Sequence, residues 1–290
     1  MLYRCATIFI YANGIIILCP TRSSTEQVLK ICADYCNNIG LLFNYSKCKV
    51  ILFSENSSAA ILPIRLNEIP LDYVSNEKHL GHRIQNTQDF VNFDNIVFDL
   101  RAKCNSIKRN FSHLNTESKI KLFNTHCNTF YGCELCDIMS NQFNHIFVNW
   151  RKSIRYLLDL PYRTHCCLLP HIVDVPNAST QIFQRIICFF KKGLHHGSTY
   201  VQAFYRHCLM NNNSFMTRNV NIICRKIDIS PHDLVNKTLN QLKTKLRATD
   251  PPWDWRSNII KELLAIRDGT FDCILDVHEI DNVLNFLCEE

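Results

Sequence analysis

Residues 5–19 read CATIFIYANGIIILC, an apolar run with no charged side chain. A helix crossing a bilayer needs about 20 apolar residues in a row. This run is shorter, and Asn13-Gly14 breaks it in the middle. With Arg4 in front it has the outline of a signal-peptide core. β-Branched arms on either side of Asn-Gly instead predict two short strands. A type I′ turn would join them, because both turn residues tolerate positive φ. No other stretch approaches membrane length, so no membrane partner is expected.

A second pattern follows directly. Ser23 and Glu26 have the spacing of a capping box, and Val28, Ile31, Cys32, Tyr35 and Ile39 recur at helical intervals. Gly40 is placed to end that helix. A turn at Asn44–Ser46 and a strand over Val50–Phe53 come next. Short extended pieces follow over 61–74, broken by Pro63 and Pro70, and HLGHRI at 79–84 reads as a strand or loop. The first 85 residues are therefore mixed α/β.

From about residue 90 the period changes. Leu100, Cys104, Ile107, Phe111 and Leu114 step by threes and fours. Thr116 is placed to cap the next helix, which carries Ile120, Phe123, Cys127, Phe130 and Tyr131. Further helices are predicted over 143–158, 179–192, 256–266 and 279–288. A proline-punctuated connector covers 160–176, and an Asn/Ser-rich loop covers 211–219. The expected fold class is α+β: a mixed N-terminal region over 1–88, then helical regions over 89–176 and 177–290. At 290 residues the chain is long enough for one large or two modest domains.

Sixteen cysteines accompany a 47% hydrophobic composition. Disulfide-dense secreted domains are short and use cysteine in place of a core. Here Cys32, Cys104, Cys127 and Cys188 fall on apolar helical stripes, where a thiol acts as a small hydrophobe. Reduced cysteines and an intracellular setting, cytoplasmic or nuclear, are expected. The net charge of +6, from 32 basic and 26 acidic residues, is compatible with a nucleic-acid partner but does not require one.

The order of segments carries more. Tyr11-Ala12-Asn13-Gly14 is followed by Gly40-Leu41-Leu42-Phe43-Asn44-Tyr45-Ser46-Lys47-Cys48-Lys49, then His79-Leu80-Gly81. Downstream stand Tyr131-Gly132-Cys133-Glu134-Leu135, Trp150-Arg151-Lys152, Leu160-Pro161-Tyr162-Arg163-Thr164-His165 and Leu168-Leu169-Pro170, and then the tail from Glu262 to Thr270. This series resembles the C-terminal part of a LINE-type (non-LTR, jockey-like) retrotransposon reverse transcriptase. In that family a Y-A-D-D hairpin is followed by G-L-x-F-N-x-x-K-T-K and a Y-L-G turn. The resemblance implies the end of a polymerase palm, then a helical thumb and C-terminal extension. It also implies RNA-directed DNA polymerase ancestry, with magnesium as the intact family's cofactor. In the family an endonuclease, the fingers and most of the palm precede the hairpin. Met1 stands ten residues before Tyr11, so the resemblance implies a fragment.

The family's turn supplies aspartates to two Mg²⁺ ions about 3.5–4 Å apart. Magnesium selects hard, anionic oxygens. At the matching positions this chain has Asn13, with a neutral amide, and Gly14, with no side chain. Met1 to Thr25 contains no Asp or Glu. The expectation is a protein without bound metal or cofactor and without polymerase activity. By the resemblance, Lys47 matches a lysine near the leaving pyrophosphate, and His79 and Gly81 match a turn that grips the primer. Lys49, Lys108, Arg109, Arg151, Lys152 and Arg155 complete a candidate surface for RNA or an RNA–DNA duplex, with Lys103, Lys119 and Lys121 along the same helices. The alternative is an ordinary solvated basic face.

Two further constellations imply other chemistry. His126, Cys133-x-x-Cys136 and His145 contain the start of a zinc site, but a fourth ligand at knuckle spacing is missing. His165-Cys166-Cys167, with His171, offers a Cys–His nucleophile without a third orienting group. Phe130-Tyr131 and Phe189-Phe190 read as core aromatics rather than stacking platforms.

Overall fold

The computed structural model describes residues 7–12, 14–53, 62–86, 93–211, 214–269 and 276–288. The chain divides into two compact units, residues 1–91 and 92–290. Residues on either side of 176 belong to the same unit. The fold is α+β: among the described residues every strand lies in the first unit, and the second is helical.

In the first unit, strands β1 (Thr7–Tyr11) and β2 (Gly14–Leu18) form an antiparallel hairpin. Tyr11 pairs with Gly14, so Gly14 belongs to β2 and not to the expected Asn-Gly turn. Ala12 takes the positive φ, 51°. Asn13 itself lies outside the described residues. β1 is exposed along its whole length, with Phe9 53% and Ile10 69% accessible.

Helix α1 (Arg22–Asn38) follows. Its cap differs from the expected Ser23/Glu26 box. Thr21 is the N-cap, its hydroxyl accepting from the Ser24 N–H, while the Ser24 hydroxyl accepts from the Thr21 N–H. Glu26 instead pairs with Arg22 one turn back, at 2.8 Å. Gly40 ends the segment at φ +71°, as expected of a left-handed stop.

The buried face of α1 also differs from the periodicity reading. Ala33 is buried and Leu29 packs beside it, whereas Ile31, Tyr35 and Ile39 are exposed. The cause is the small core available: Ala33 meets Ile64, Leu66 and Leu71, with Phe43, Tyr45, Cys48, Val50 and Tyr73 around them. One helix carries two apolar stripes, and among the described residues of this unit the Leu29–Ala33 stripe is the one that is packed.

The remaining strands are short. A 3₁₀ turn (Tyr45–Lys47) leads to β3 (Lys49–Val50), which pairs in parallel with β6 (Asp72–Tyr73). The strand expected to continue to Phe53 stops at Val50. β4 (Arg65–Leu66) pairs with β5 (Ile69–Pro70), and β7 (Asn76–His79) pairs with β8 (His82–Gln85). Every described sheet is two-stranded. The β7–β8 loop is Leu80–Gly81, with φ values of 50° and 84°. That pair of positive angles is the type I′ signature anticipated one hairpin earlier.

The second unit opens with α2 (Phe93–Asn110), then α3 (Thr116–Leu122), whose N-cap is Asn115 rather than Thr116. α3 passes into a π-helical turn at Phe123–Cys127. α4 (Phe143–Leu158) matches its predicted limits and buries Ile146, Trp150 and Ile154 completely. The Trp150 indole N–H donates to Asn128 Oδ1 at 2.7 Å.

Helix α5 is the short segment Leu168–Ile172. α6 (Ala178–Leu194) is central and touches α4, α7 (Thr199–Met210), α8 (Phe215–Lys226), α9 (Asp233–Asn236) and α10 (Leu239–Arg247). α8 occupies most of the stretch read as a loop over 211–219. Its apolar face of Val220, Ile223 and Cys224 is buried, and that burial outweighs the Asn/Ser-rich local composition. α11 (Arg256–Arg267) and α12 (Val277–Cys288) close the unit. Among the described residues no helix is long and apolar enough to cross a membrane.

Candidate nucleic-acid interface

The two hairpin turns singled out by sequence meet in space. A Cβ added to Gly14 would lie 3.0 Å from Cε1 of His79 and 3.7 Å from its Nδ1. The imidazole, half-buried at the end of β7, occupies the space beside residue 14. The Leu80–Gly81 turn stands next to it, its left-handed backbone held by glycine at the second position.

Three carboxylates among the described residues of this unit have partners of their own. Glu26 holds Arg22, Asp72 accepts from Lys49 at 2.7 Å, and Glu77 accepts from the Lys78 N–H at 3.0 Å. Gly14 contributes no ligand, and an imidazole is a poor substitute for anionic oxygen at magnesium. These residues do not fit a pair of magnesium ions. Among the described residues no three His, Cys, Asp or Glu side chains converge as a metal site.

Of the two candidate lysines in this unit, Lys47 is exposed at the end of the 3₁₀ turn. Lys49 is committed to Asp72 across the β3–β6 ladder.

The second unit holds the other candidate cations. α2 and α4 run parallel, because their contacts climb together: Arg101 Nε to Asn149 Oδ1 at 2.7 Å, Cys104 to the Ser153 carbonyl at 3.5 Å, then Lys108 to Asp159. The Lys108 ammonium also sits 5.6 Å from the Tyr156 ring centroid. Arg109 and Lys152 are exposed, and Arg151 is half-buried. Arg155 has turned inward: its Nε and Nη2 both donate to the Thr164 carbonyl, at 3.1 and 2.5 Å. Burial, the first cause, lowers its pKa. Lys119 is only 9% accessible, its stem packed away, while Lys121 pairs with Glu117. The basic surface is thus narrower than its sequence count: Lys108 and Arg155 hold the fold, while Arg109 and Lys152 face solvent.

Sequence reasoning overlooked Asp159. It ends α4 at φ 52° and receives Lys108. Its signal was an aspartate, tolerant of left-handed backbone, directly before Leu160-Pro161.

The zinc-like constellation is split by burial. Cys133 and Cys136 are fully buried, while His126 and His145 are exposed. Desolvation pushes the Cys136 thiol up to about 12, with Glu134 adding to it. Every described cysteine is a free thiol. Phe130 and Phe190 are buried as expected, but Tyr131 is 56% accessible, because the left-handed backbone at Phe130 (φ 40°) turns the chain between them.

No family model matches this chain, and no curated protein or solved structure matches it either.

Proposed function

We propose that this chain is a catalytically silent relative of the LINE-type reverse transcriptases. In this reading the first unit is the end of a palm, and the second corresponds to thumb and C-terminal extension. The observation that carries the reading is the contact between Gly14 and His79. It brings together the two turns that the sequence resemblance pairs as metal turn and primer grip. Where the active family has carboxylates, this chain has an amide and a glycine, and the imidazole of His79 fills the space beside residue 14. Polymerases stabilise the charge of phosphoryl transfer through metal ions held by such carboxylates. Without them nucleotide addition falls to background.

The test is extension of a radiolabelled primer on an RNA template by the purified full chain with magnesium. No extension above a mock purification is expected. Magnesium-dependent extension absent from the mock would refute the proposal.

A second reading, retention of a surface for RNA or an RNA–DNA duplex, is favoured by exposed Arg109 and Lys152 on the parallel pair α2 and α4. Such binding would act through phosphates and would not depend on base sequence.

A further inference from the structure

The connector between α4 and α5 is held from two sides. Arg155 clamps the Thr164 carbonyl, and the His165 N–H donates to the Cys288 carbonyl at the end of α12, at 3.0 Å. This segment presents an exposed imidazole and a half-exposed thiol. His165 Nδ1 lies 2.7 Å from Cys167 Sγ and also faces the Cys167 N–H at 3.4 Å.

A backbone N–H only donates, so Nδ1 is the accepting nitrogen and the ring proton sits on Nε2. The thiol then donates to the same lone pair. Among the described residues Cys167 is the one thiol placed against an imidazole. Its neighbour Cys166, of similar exposure, has none. Burial, and after it the Asp254 carboxylate, hold the Cys167 thiol above its ordinary range. At neutral pH it therefore remains protonated until a base takes its proton.

We propose that Cys167 and His165 form a nucleophile–base pair, and that Cys167 is a site of S-thiolation by low-molecular-weight disulfides. His165 Nδ1 takes the proton as the S–H bond breaks. The thiolate attacks one sulfur of the disulfide, a new S–S bond forms on Cys167, and the old S–S bond breaks. The departing thiolate recovers the proton from the imidazole. The thiol is oxidised and the disulfide reduced, and no other reactant is needed.

The experiment exposes the native full chain to glutathione disulfide and follows each cysteine by peptide mass spectrometry at early times. Cys167 is expected to gain the adduct about a hundredfold faster than Cys166 or Cys36, the low side of what a positioned base supplies. In His165→Asn, and independently His165→Gln, Cys167 is expected to slow to the rate of Cys166, while Cys166 is unchanged. Buried Cys104 and Cys224 stay unmodified as long as the fold is intact. Equal rates at Cys166 and Cys167 in the unsubstituted chain would overturn the proposal. So would a Cys167 rate indifferent to both substitutions in a folded protein.

Discussion

The imidazole of His79 lies against the α-carbon face of Gly14, where the first Cβ of any larger residue would come within 3.0 Å of the ring. Two hairpins, sixty-odd residues apart, are thereby coupled through an absent side chain. The same contact that brings the motif turns together also takes the room a carboxylate would use.

That coupling is measurable. Gly14→Ala demands a shift of a few tenths of an ångström at His79, and overpacking of this kind costs about 1–3 kcal/mol. His79→Ala removes the obstacle. In a double-mutant cycle by urea unfolding, the two changes are expected to be non-additive by about 0.5 kcal/mol or more, with the double variant less destabilised than the sum. Strict additivity would mean that the residues do not touch.

A tighter approach occurs in the second unit. A Cβ on Gly193 of α6 would lie 2.3 Å from the ring of Tyr205 on α7. Phe189, Phe190 and Phe204 pack around that ring with centroids 5.2–5.9 Å away, so it has little freedom to yield. Alanine is the better helix former by about 1 kcal/mol. The clash outweighs this, and Gly193→Ala is expected to lower the thermal midpoint. A midpoint that rises would contradict the packing described.

Asp254 gives a pH dependence of known sign. The Arg256 hydrogen bonds, 2.7–3.1 Å, hold its carboxyl below the ordinary range, against burial acting the other way. A depressed carboxyl contributes stability above its unfolded value, about 3.9. That contribution is lost as pH falls through the lower folded value. Unfolding free energy is therefore expected to decline below about pH 4, and Asp254→Asn should flatten part of that decline. An unchanged acid limb in the variant would show that the pair is energetically idle.

Any affinity for duplexes should be read from its salt dependence. Arg109→Gln and Lys152→Gln are each expected to reduce the slope of log affinity against log salt by about 1, one phosphate contact apiece. Fluorescence anisotropy with an RNA–DNA duplex measures both. Absent binding at low salt, or binding that salt does not weaken, removes the nucleic-acid reading.

Much of the helical architecture was legible because long amphipathic segments carry their period in the chain. α4, α6, α11 and α12 fall close to their predicted limits, while α2 stops at Asn110, short of the predicted Phe111 and Leu114. Gly40 ends its segment as expected, and the hairpin near Tyr11 forms with its turn displaced from Asn13-Gly14. Errors concentrate where a choice was non-local. Ile31, Tyr35 and Ile39 have helical spacing as good as that of Leu29 and Ala33. Which stripe is buried depends on where Ile64, Leu66 and Leu71 come to rest. α10 was overlooked although Thr238 and Gln241 form a reciprocal capping box, a signal that local reading could have caught.

The candidate site divides along the same line. Sequence alone settled the absence of carboxylates at positions 13 and 14, because no arrangement of the chain can give glycine an anionic oxygen. It also fixed the list of cations. Tertiary structure decided which of them remain available: Lys108 pairs with Asp159 and Lys49 with Asp72, Arg155 turns in to the Thr164 carbonyl, and Arg109 and Lys152 are left outside. It also set His79 against Gly14 and His165 against Cys167. Charge and ligand chemistry belong to residue types and can be read in one dimension. Burial and pairing depend on which surfaces meet, and that is settled only when the whole chain competes for the same limited core.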